Sequence, residues 1–349
     1  MDQAQPSHLA AATSWLEQGR TLCVPPLQAA VARLAAPMDR IAAYHFGWTD
    51  QYGRPGGVYG GKTARAALAV LSAEAAGAAP TVAIPGGIAV ELVHNFSLLH
   101  DDFMDGDTER RHRPAAWTVF GGTWAILTGD ALLALAPQVL WEQGAPSVAA
   151  QAVKRLTDTN CQMVDGQARD LAFEQRDHVD ISECLQMEAE KTASLLGLSA
   201  CIGAVLSGAE DTMVEALERY GHHLGMAFQA VDDLLGIWGP ADATGKTAWS
   251  DLRRRKKTLP VLAALAEGGD ASRQLADQLS NPADRGAESD SLLALRALLI
   301  EKAGGRNWTE RQVRWHHEAA LNALDDVPIP QRTRKKLTDF SETLMTRVR

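Results

Sequence analysis

An apolar helical run that leads into a cluster of charged residues constrains this chain more than any other feature. Residues 91–114 read ELVHNFSLLHDDFMDGDTERRHRP, where large apolar residues precede three carboxylates, Asp101, Asp102 and Asp105. At about 3.6 residues per turn, Asp101 and Asp105 share one helix face and Asp102 lies beside them. Like charges on one turn of a buried helix repel, and burial disfavours their ionised form. A bound cation would remove that conflict, so the pattern predicts a metal site within a helical fold.

The surrounding residues indicate which metal and which ligand. Carboxylate oxygens suit Mg²⁺, which also takes water and substrate phosphates as ligands. Arg110 and Arg111 follow directly, and guanidinium groups bind phosphate oxygens through two hydrogen bonds at once. A second acidic pair, Asp232 and Asp233, lies in another apolar run, FQAVDDLLGIWG. A single cluster of this kind is compatible with a solvated acidic turn, but two such pairs favour a site for Mg²⁺ and phosphate.

Three further segments carry candidate anion-binding residues. A glycine-rich loop ends in GGKTAR at a helix start, where Lys62 and Arg65 are either phosphate ligands or solvated cations. Lys191 and Thr192 lie inside an apolar helix, and a buried ammonium needs a partner anion unless the side chain extends to water. The basic run SDLRRRKKTLP follows the second acidic pair and could fold back over a metal-bound phosphate.

The secondary-structure pattern predicts an all-α fold. Helical periodicity begins near Leu9, is interrupted at Pro25–Pro26 and recurs to the C-terminus, and no run of alternating β-branched residues indicates a strand. We expect residues 1–8 to be frayed, residues 117–136 to form one helix and the polar stretch 268–289 to be a connector. No linker separates two cores, so the chain predicts one domain, 1–349, of roughly a dozen helices.

Composition and local patterns exclude several other classes of protein. A net charge of −9 argues against nucleic acid as the main partner. The four cysteines form no CxxC pair and no spacing typical of zinc sites. No stretch approaches the roughly 18 apolar residues of a membrane span, and the N-terminus lacks the pattern of a signal peptide. These observations predict a cytoplasmic protein without a stable membrane anchor.

Taken together, the motifs resemble those of one family. From about Met38 to the C-terminus the chain carries, in order, GGKTAR, ELVHNFSLLHDDFMD, DGDTERRHRP, ILTGD, GQARDL, KTASLL, FQAVDDLLG and GKTAWSDLRRRKKTLP. This order resembles the trans-isoprenyl diphosphate synthases, or polyprenyl synthetases. The resemblance implies an isoprenoid-synthase-type helical bundle, usually a homodimer, with the two acidic helices facing each other across a central cavity. It also implies a Mg²⁺-dependent condensation of an allylic diphosphate with isopentenyl diphosphate.

The resemblance implies roles for individual residues. The residues implied to bind Mg²⁺ directly or in support are Asp101, Asp102, Asp105, Asp232 and Asp233. Those implied to hold the allylic diphosphate are Arg110, Lys191, Thr192, Gln229, Lys246 and Lys256. Those implied to bind isopentenyl diphosphate are Lys62, Arg65, His94 and Arg111. The implied catalytic set is Asp101, Asp105, Lys191 and Asp232.

The sequence departs from the family pattern at four positions. Thr63 and Ala66 replace the Arg and Pro of the usual GGKRxRP motif, while Lys62 and Arg65 are kept. His112 replaces the glycine that usually follows the two arginines. Gly236 stands where the second acidic motif usually ends in Asp, which leaves Asp232 to carry the metal on that side.

Product length is indicated by two residues in the helix before the first acidic motif. Phe96 and Ser97 lie five and four residues before Asp101, and a helical turn rises about 5.4 Å, close to the length of one isoprene unit. In the resembling family, aromatic residues at both positions accompany C15 products, and an aromatic at the farther position alone accompanies C20. The resemblance therefore implies a C20 product, with C15 as the alternative.

Two other functions fit parts of the pattern. A class I terpene cyclase shares the fold and the first acidic motif, but it needs no second diphosphate site such as the one that Lys62, Arg65, His94 and Arg111 would form. A non-catalytic partner subunit of a prenyl synthase is favoured only by Gly236. Prenyl transfer remains the interpretation that uses all the motifs.

Overall fold

The computed structural model describes residues 5–56, 63–142, 145–239, 249–280 and 289–345, and most of them are helical. The first ten helices are α1 Gln5–Val31, α2 Met38–Phe46, α3 Ala64–Ala75, α4 Ile84–Met104, α5 Ala116–Phe120, α6 Gly122–Glu142, α7 Pro146–Glu174, α8 Ile181–Glu188, α9 Ser194–Leu206 and α10 Asp211–Trp238. The others are α11 Ser250–Arg253, α12 Leu259–Glu267, α13 Gly269–Ser280, α14 Asp290–Lys302, α15 Gly305–Ala323 and α16 Gln331–Met345. The prediction of an all-α fold is confirmed.

Four short elements are found besides these helices in the described chain. A 3-10 turn, Pro80–Ala83, leads into α4, and a π-helical turn, Ala189–Ala193, joins α8 to α9. Two two-residue strands, β1 Glu109–Arg110 and β2 Arg113–Pro114, pair antiparallel just after the first acidic motif. This hairpin was not predicted, because two-residue strands are too short to give an alternating pattern.

The chain divides into two compact units. The first contains Met1–Asn160, Leu195–Gly221 and Ala323–Phe340, and the second contains Cys161–Ser194, His222–Asn322 and Ser341–Arg349. The divisions at 160 and 221 fall within α7 and α10. The single-domain interpretation therefore stays a prediction, and each unit is described by itself below.

The first unit is organised around α4, the helix that ends in the first acidic motif. It packs most extensively against α6 and also against α1 and α3. Leu92, Val93 and Leu99 of α4 are almost completely buried. Burying a side chain of this size stabilises the fold by about 1.5–3 kcal/mol. The apolar core thus holds the helix whose last turn carries the carboxylates.

The second unit has two apolar clusters. One is formed by the segments around α11 to α14 and contains Ile237, Leu252, Val261, Ala264, Leu275, Leu293, Ala297, Leu299, Ile300 and Ala303. The other contains Phe173, Val179, Cys184, Met187, Ala230, Leu259 and Leu262. The second cluster packs α8 against α12, and those helices flank the second acidic motif.

Several local predictions need correction. Helix α1 runs through Pro25–Pro26 without interruption, because Cys23 and Leu27 on either side are fully buried and their packing offsets the lost backbone hydrogen bonds. It also begins at Gln5, within the stretch 1–8 that was expected to be frayed, and that expectation stays a prediction. The expected helix 117–136 is two helices, separated by Gly121 at a φ of 91°.

The expected connector 268–289 also contains regular structure. Its first part is the helix α13, which buries Leu275 and Ser272 beneath an otherwise polar surface. Ala271, Leu275 and Leu279 lie four residues apart and pack in or against one apolar cluster, a helical spacing that the interpretation as a connector overlooked. Residues 281–288 lie outside the described part of the chain.

The prediction that no stretch is long and apolar enough to span a membrane was wrong. In the described residues, three stretches are long and apolar enough to cross a membrane by length and composition: Pro80–Met104, Gly122–Glu142 and Ile181–Leu206. Inside the structure, 72%, 44% and 67% of their most apolar windows are buried. A helix that is apolar on all sides is typical of the interior of a large helical protein as well as of a membrane.

A pair of histidines in the second unit makes stability depend on pH. Nδ1 of His223 lies 3.0 Å from Nδ1 of His316, and burial, followed by the charges of His223 and His222, lowers the pKa of His316 from 6.5 to about 4. The unfolded chain therefore binds a proton there between pH 6.5 and 4 while the folded chain does not. Stability should be complete above about pH 6.5 and should fall by about 2 kcal/mol at pH 5.

Urea unfolding at pH 7.5 and pH 5 tests this expectation. His316→Gln should remove most of the pH-dependent loss, because the substituted side chain does not titrate. The matched control is His178→Gln, since the side chain of His178 is 84% exposed and its loss should leave the pH dependence unchanged. Equal pH dependence in the parent and in His316→Gln would contradict the assignment.

Candidate active site

The first acidic motif closes α4 with two accessible carboxylates and one buried carboxylate. Asp101 and Asp102 belong to the last turn, and Asp105 follows the final helical residue, its N–H donating to the Asp101 carbonyl at 2.8 Å. Asp101 and Asp105 are partly exposed, whereas Asp102 is 1% exposed. The two accessible carboxylates are one turn apart, so both lie on the same face at the end of α4, and the third faces inward.

The buried carboxylate is paired with the first arginine of the motif. Nε of Arg110 donates to Oδ1 of Asp102 at 2.8 Å, and Nη2 of Arg110 donates to the same oxygen. Burial raises the pKa of Asp102, while the hydrogen bonds and charge of Arg110 oppose that rise. The second carboxylate oxygen, Oδ2, is buried without a hydrogen-bond partner. An unsatisfied buried carboxylate oxygen is costly, so this position fits a nearby cation.

A strained hairpin presents the two arginines. Arg111 and His112, the central residues of the turn between β1 and β2, have φ values of 54° and 60°. Turns of this kind favour Asn-Gly because both residues must adopt the left-handed region, which costs roughly 1–2 kcal/mol for other residues. Arg113 anchors the turn by donating to the carbonyl of Thr49 at 2.9 Å, and Tyr44 donates to the carbonyl of Pro114 at 2.8 Å. These contacts therefore stabilise the hairpin even though His112, and not the usual glycine, occupies the left-handed position.

A second group of cations surrounds the start of α3. Glu91 of α4 is 4% exposed and accepts a 3.2 Å hydrogen bond from the N–H of Ala66, which ties the first turn of α3 to α4. Burial raises the pKa of Glu91, and the charges of Arg65 and Arg111 lower it. Burial and then the charges of Arg65, Arg111 and Arg110 hold the pKa of His94 well below its usual range. Arg65, His94 and Arg111 therefore lie close together, with His94 neutral.

Sequence reasoning missed His45 in this region. His45 is 7% exposed, and burial together with the charges of Arg111, Arg110 and Arg113 lowers its pKa. Its Nε2 is buried without a hydrogen-bond partner. Because it lies between Tyr44 and Phe46 in α2, nothing local distinguishes it from a core residue. Lys62, the remaining predicted member of this group, lies outside the described residues.

In the second unit, Lys191 is paired with a carboxylate. Nζ of Lys191 lies 2.6 Å from Oδ2 of Asp170, and each side chain is about a quarter exposed. Lys191 and Thr192 belong to the π-helical turn Ala189–Ala193, and such turns occur frequently at functional sites. The anion that the sequence implied is thus a carboxylate of the GQARDL motif, whose role sequence reasoning missed.

Gly166 in the same motif permits this arrangement. A β-carbon at position 166 would overlap the backbone nitrogen of Lys191 and lie 2.8 Å from its Cα. Real side chains do not approach so closely, so only glycine allows α7 to contact the π-helical turn. The GQARDL motif therefore positions Lys191 through both Gly166 and Asp170.

A chain of hydrogen bonds links Lys191's neighbour to the second acidic motif. Thr192 donates to Gln229 at 2.9 Å, and Gln229 donates to Oδ1 of Asp233 at 2.9 Å. The N–H of Leu259, at the start of α12, donates to the other oxygen of Asp233 at 2.9 Å. Asp233 is 4% exposed, whereas Asp232 beside it is partly exposed. The second motif thus repeats the arrangement of the first, with one accessible and one buried carboxylate.

The buried carboxylate of the second motif has a further acidic neighbour. Burial raises the pKa of Asp233 to about 7. Glu188 is 2% exposed, and burial together with the charge of Asp233 raises its pKa well above the usual range. The two buried acids therefore lie close enough to influence each other's titration. Of the two basic residues predicted nearby, Lys256 is partly exposed and Lys246 lies outside the described residues.

The metal-binding prediction can be tested against these positions. Across the described ranges, no three His, Cys, Asp or Glu side chains converge into a preformed metal site. The donor set nevertheless fits Mg²⁺, which uses few carboxylates and completes its shell with water and phosphate. The unpartnered Oδ2 of Asp102 and the accessible Asp101 and Asp105 are the residues that could hold such an ion in the first unit.

The chain-length candidates occupy different environments on α4. Phe96 is 7% exposed, and its ring lies edge-on to that of His100, with 4.8 Å between centroids. His100 is within hydrogen-bond distance of the carbonyl of Ile126, at 3.0 Å from Nε2. Ser97 is partly exposed and donates to the carbonyl of His94 at 2.9 Å. The hydroxyl of Ser97 thus folds back on its own helix, while Phe96 is braced by a neighbouring ring.

Comparison with known proteins identifies the family. The polyprenyl synthetase family model matches residues 57–295. A (2E,6E)-farnesyl diphosphate synthase of Mycobacterium tuberculosis is 46% identical over 326 residues, 93% of this chain and 90% of that protein. A geranylgeranyl diphosphate synthase of the same organism is 42% identical over 312 residues, 89% of this chain and 88% of that protein.

A solved structure gives the same result. The crystal structure of a polyprenyl synthetase from Streptomyces coelicolor A3(2) superposes with a TM-score of 0.91 at 56% identity, covering 95% of this chain and 99% of that one. The chain belongs to the polyprenyl synthetase family. Within that family it is a short-chain isoprenyl diphosphate synthase, and its activity is that of a trans-prenyltransferase.

Proposed function

We propose that this prenyltransferase condenses an allylic diphosphate with isopentenyl diphosphate in the presence of Mg²⁺, giving an all-trans C20 diphosphate as the main product. The observation that supports the proposal most strongly is the repeated pair of one accessible and one buried carboxylate, Asp101 with Asp102 and Asp232 with Asp233. A surface acidic turn has no reason to bury one carboxylate of each pair.

The accessible and buried carboxylates have different roles in this proposal. Asp101, Asp105 and Asp232 bind Mg²⁺, while Asp102 and Asp233 support them from within the protein. Mg²⁺ held there supplies positive charge for the departing diphosphate. Asp102 also orients Arg110, so the same buried carboxylate serves both the metal and a diphosphate-binding cation.

The allylic diphosphate is assigned to the cations that adjoin the acidic motifs. Its proposed ligands are Arg110, Lys191, Thr192, Gln229, Lys246 and Lys256. The support among described residues is that Asp102 holds Arg110, Asp170 holds Lys191, and Gln229 connects Thr192 to the second acidic motif. Cations that are already oriented lose little freedom when the diphosphate binds, which favours stabilisation of the leaving group.

The reaction follows from charge. The allylic C–O bond breaks as the cations neutralise the departing diphosphate, and an allylic carbocation remains in apolar surroundings that exclude water. The double bond of isopentenyl diphosphate attacks the carbocation and forms the new C–C bond. The proton then lost from isopentenyl diphosphate passes to the released diphosphate. The protein positions both substrates and keeps the carbocation from water.

Isopentenyl diphosphate is assigned to Lys62, Arg65, His94 and Arg111. The support is the shared electrostatic influence of Arg65 and Arg111 on His94 and Glu91 at the start of α3. A neutral His94 can donate one hydrogen bond to a phosphate oxygen without adding charge. Backbone N–H groups at a helix start add further donors for an anion.

Loss of either cation of this group should weaken the binding of isopentenyl diphosphate. Lys62→Ala and Arg65→Ala should each raise KM for isopentenyl diphosphate by about tenfold or more, because a charge-assisted hydrogen bond contributes roughly 1.5–3 kcal/mol. KM for the allylic substrate should change much less. Initial-rate kinetics with each substrate varied in turn measures both. Arg33→Ala is the control, since Arg33 is 43% exposed and pairs with Glu142.

The test compares the change in KM for isopentenyl diphosphate with the change in KM for the allylic substrate. An unchanged KM for isopentenyl diphosphate in both variants would move the site elsewhere. Equal increases for both substrates would show that these residues do not distinguish between the two diphosphates.

We assign the protein to the cytoplasm and to a homodimer. The support for a second copy is that α6 is strongly apolar, yet only 44% of its most apolar window is buried within the chain. Trp124, Leu127 and Trp141 of this helix are 41%, 44% and 60% exposed. Apolar surface of this kind is typical of an interface between proteins. Light scattering after gel filtration should give about twice the 37.5 kDa mass of one chain; a monomer would contradict the assignment.

The C15 product and the non-catalytic partner are the alternatives. The 46% identical farnesyl diphosphate synthase favours C15, and the small side chain of Ser97 favours C20. Incubating the purified chain alone with Mg²⁺, isopentenyl diphosphate and each allylic diphosphate decides among them. Chromatography should show geranylgeranyl diphosphate as the main product. No turnover without a second protein would indicate the partner subunit.

A further inference from the structure

The ILTGD motif, residues 126–130 of α6, takes no part in the proposed binding of either diphosphate or of Mg²⁺. It lies against α4 at His100, the residue just before the first acidic motif. Nε2 of His100 is 3.0 Å from the carbonyl oxygen of Ile126. Because a carbonyl oxygen only accepts hydrogen bonds, Nε2 carries the proton and is the donor. The first residue of the motif therefore fixes both the tautomer and the orientation of the His100 ring.

Two other residues of the motif shape the place of this ring. A β-carbon at position 129 would overlap Nε2 and Cδ2 of His100, so the ring occupies space that only a glycine leaves open. Oδ1 of Asp130 lies 3.7 Å from the same Nε2, where its charge attracts the N–H dipole. The side chain of His100 is 17% exposed, so most of the ring is enclosed by the protein.

The enclosed ring of His100 contacts Phe96. The two residues are one helical turn apart on α4, so their side chains share a face of the helix. The ring centroids are 4.8 Å apart and the ring planes make an angle of 74°. This edge-on arrangement is a favoured geometry for aromatic pairs, and each ring limits the positions open to the other. Phe96 is 7% exposed, and its ring is the proposed end of the product cavity.

A ring that ends a cavity must resist displacement by the growing tail. The side chain of Phe96 has no polar atom, so only the atoms packed around it fix its position. The Ile126 carbonyl belongs to the backbone of α6, which packs extensively against α4. The hydrogen bond of His100 therefore connects the ring of Phe96 to a helix that cannot shift without disturbing the core of the first unit.

We propose that the ILTGD motif helps to set product length: it fixes the ring of His100, and that ring holds Phe96 at the depth where the growing tail stops. Ile126, Gly129 and His100 are positioning residues, because only Phe96 contacts the tail in this assignment. The inference rests on the proposed function, in which Phe96 closes the cavity, and deepens it by naming the residues that hold that ring.

The test uses three changes in the full chain. His100→Gln keeps an N–H donor but removes the ring, whereas His100→Phe keeps a ring and removes the donor. Gly129→Ala forces the ring of His100 from its place. Each change is made in the parent and in Phe96→Ala. His317→Gln is the matched control, because His317 is partly buried and its Nε2 lies 3.1 Å from the hydroxyl of Ser341 in the second unit.

The main readout is the ratio of the next longer product to the main product, measured by chromatography. His100→Gln should raise this ratio by about threefold to tenfold, the range that the loss of one edge-on aromatic contact allows. His100→Phe should stay within about twofold of the parent ratio because its ring remains, although its Tm should be lower. Gly129→Ala should change the ratio by about threefold or more. His317→Gln should keep the parent ratio.

Two further measurements separate positioning from a general structural role. In the Phe96→Ala background, none of the three changes should alter the product ratio beyond that of Phe96→Ala alone. The Mg²⁺ concentration for half-maximal turnover should be the same in the parent and in each single variant, because the effect passes through Phe96 rather than through Asp101.

The outcomes distinguish this inference from the proposed function. A Phe96→Ala variant with the parent product would overturn both. A longer product from Phe96→Ala with an unaltered ratio in His100→Gln would overturn only the role of His100. Equal effects of His100→Gln and His100→Phe would overturn it as well, and so would a His100→Gln effect that persists undiminished in Phe96→Ala. If His100→Gln does not fold, Gly129→Ala with and without the ring of Phe96 still decides.

Discussion

Replacing Asp101 or Asp232 by Ala should lower kcat for prenyl transfer by about a thousandfold or more. Each change removes a proposed ligand of the Mg²⁺ that offsets charge on the departing diphosphate, an effect of several kcal/mol on the barrier. Every 1.36 kcal/mol corresponds to a factor of ten in rate. Both residues are partly exposed, so the free energy of unfolding should change by no more than about 1 kcal/mol.

Steady-state kinetics at saturating Mg²⁺, together with urea unfolding, measures both quantities. The control is Asp158→Ala, because Asp158 is 57% exposed and forms a surface ion pair with Lys154, and such pairs contribute about 0–1 kcal/mol. A chelator should abolish the activity of the parent. If Asp232→Ala kept a near-normal kcat, the second acidic motif would not hold metal, whereas the same result for Asp101→Ala would refute the metal site of the first motif.

The sequence predicted the helices that carry the site better than the partners of its residues. Helical periodicity placed Asp101 and Asp105 one turn apart, and the apolar run before them predicted the buried helix α4. The sequence could not predict that Asp102 faces inward. Its position depends on its ion pair with Arg110, which the short hairpin of β1 and β2 brings back to α4. Helical periodicity predicts one helix at a time. Which side chains pair with each other depends on how distant segments pack together in the fold.

The same limit applies in the second unit. A buried Lys191 required an anion, but Asp170 lies 21 residues earlier and only the packing of α7 on the π-helical turn brings the two together. Gly236 shows the same limit, because a β-carbon at that position would overlap the carboxylate of Asp251, and only the structure shows this contact.

The predictions for α1 and α13 were wrong for a different reason, because they relied on local residue preferences without tertiary packing. Pro25 and Pro26 each remove a backbone hydrogen bond from α1, yet Cys23 and Leu27 are fully buried on its apolar face. Helix propensities include only the destabilisation by proline, about 3 kcal/mol for each residue. They do not include the packing of neighbouring side chains that offsets it. Helix α13 shows the converse, in which a polar stretch becomes helical because Leu275 enters the core.

Changing the residues before the first acidic motif should change the length of the product. Phe96→Ala removes a ring that is braced against His100, and the main product should lengthen by at least one isoprene unit. Ser97→Phe adds an aromatic ring one position nearer to the diphosphate, and the main product should shorten to C15. Both expectations follow from the helical rise of about 5.4 Å per turn, which spaces side chains along the growing tail by nearly one isoprene unit.

Chromatography of the products from each variant is the measurement, and stability must be separated from chain length. Phe96 is buried, so Phe96→Ala is expected to cost about 3–5 kcal/mol of stability through the cavity it leaves. Phe173→Ala provides the matched control, because Phe173 is 4% exposed and lies in the second unit. It should lose comparable stability and keep the parent product.

The two variants together locate the end of the cavity. A longer product from Phe96→Ala with a shorter one from Ser97→Phe places it at Phe96. If only Ser97→Phe changes the product, the tail passes Ser97 but another side chain already closes the cavity before Phe96, because removing the ring then opens no further space. If neither changes it, the tail does not run along α4, and the explanation of chain length from these two residues is wrong.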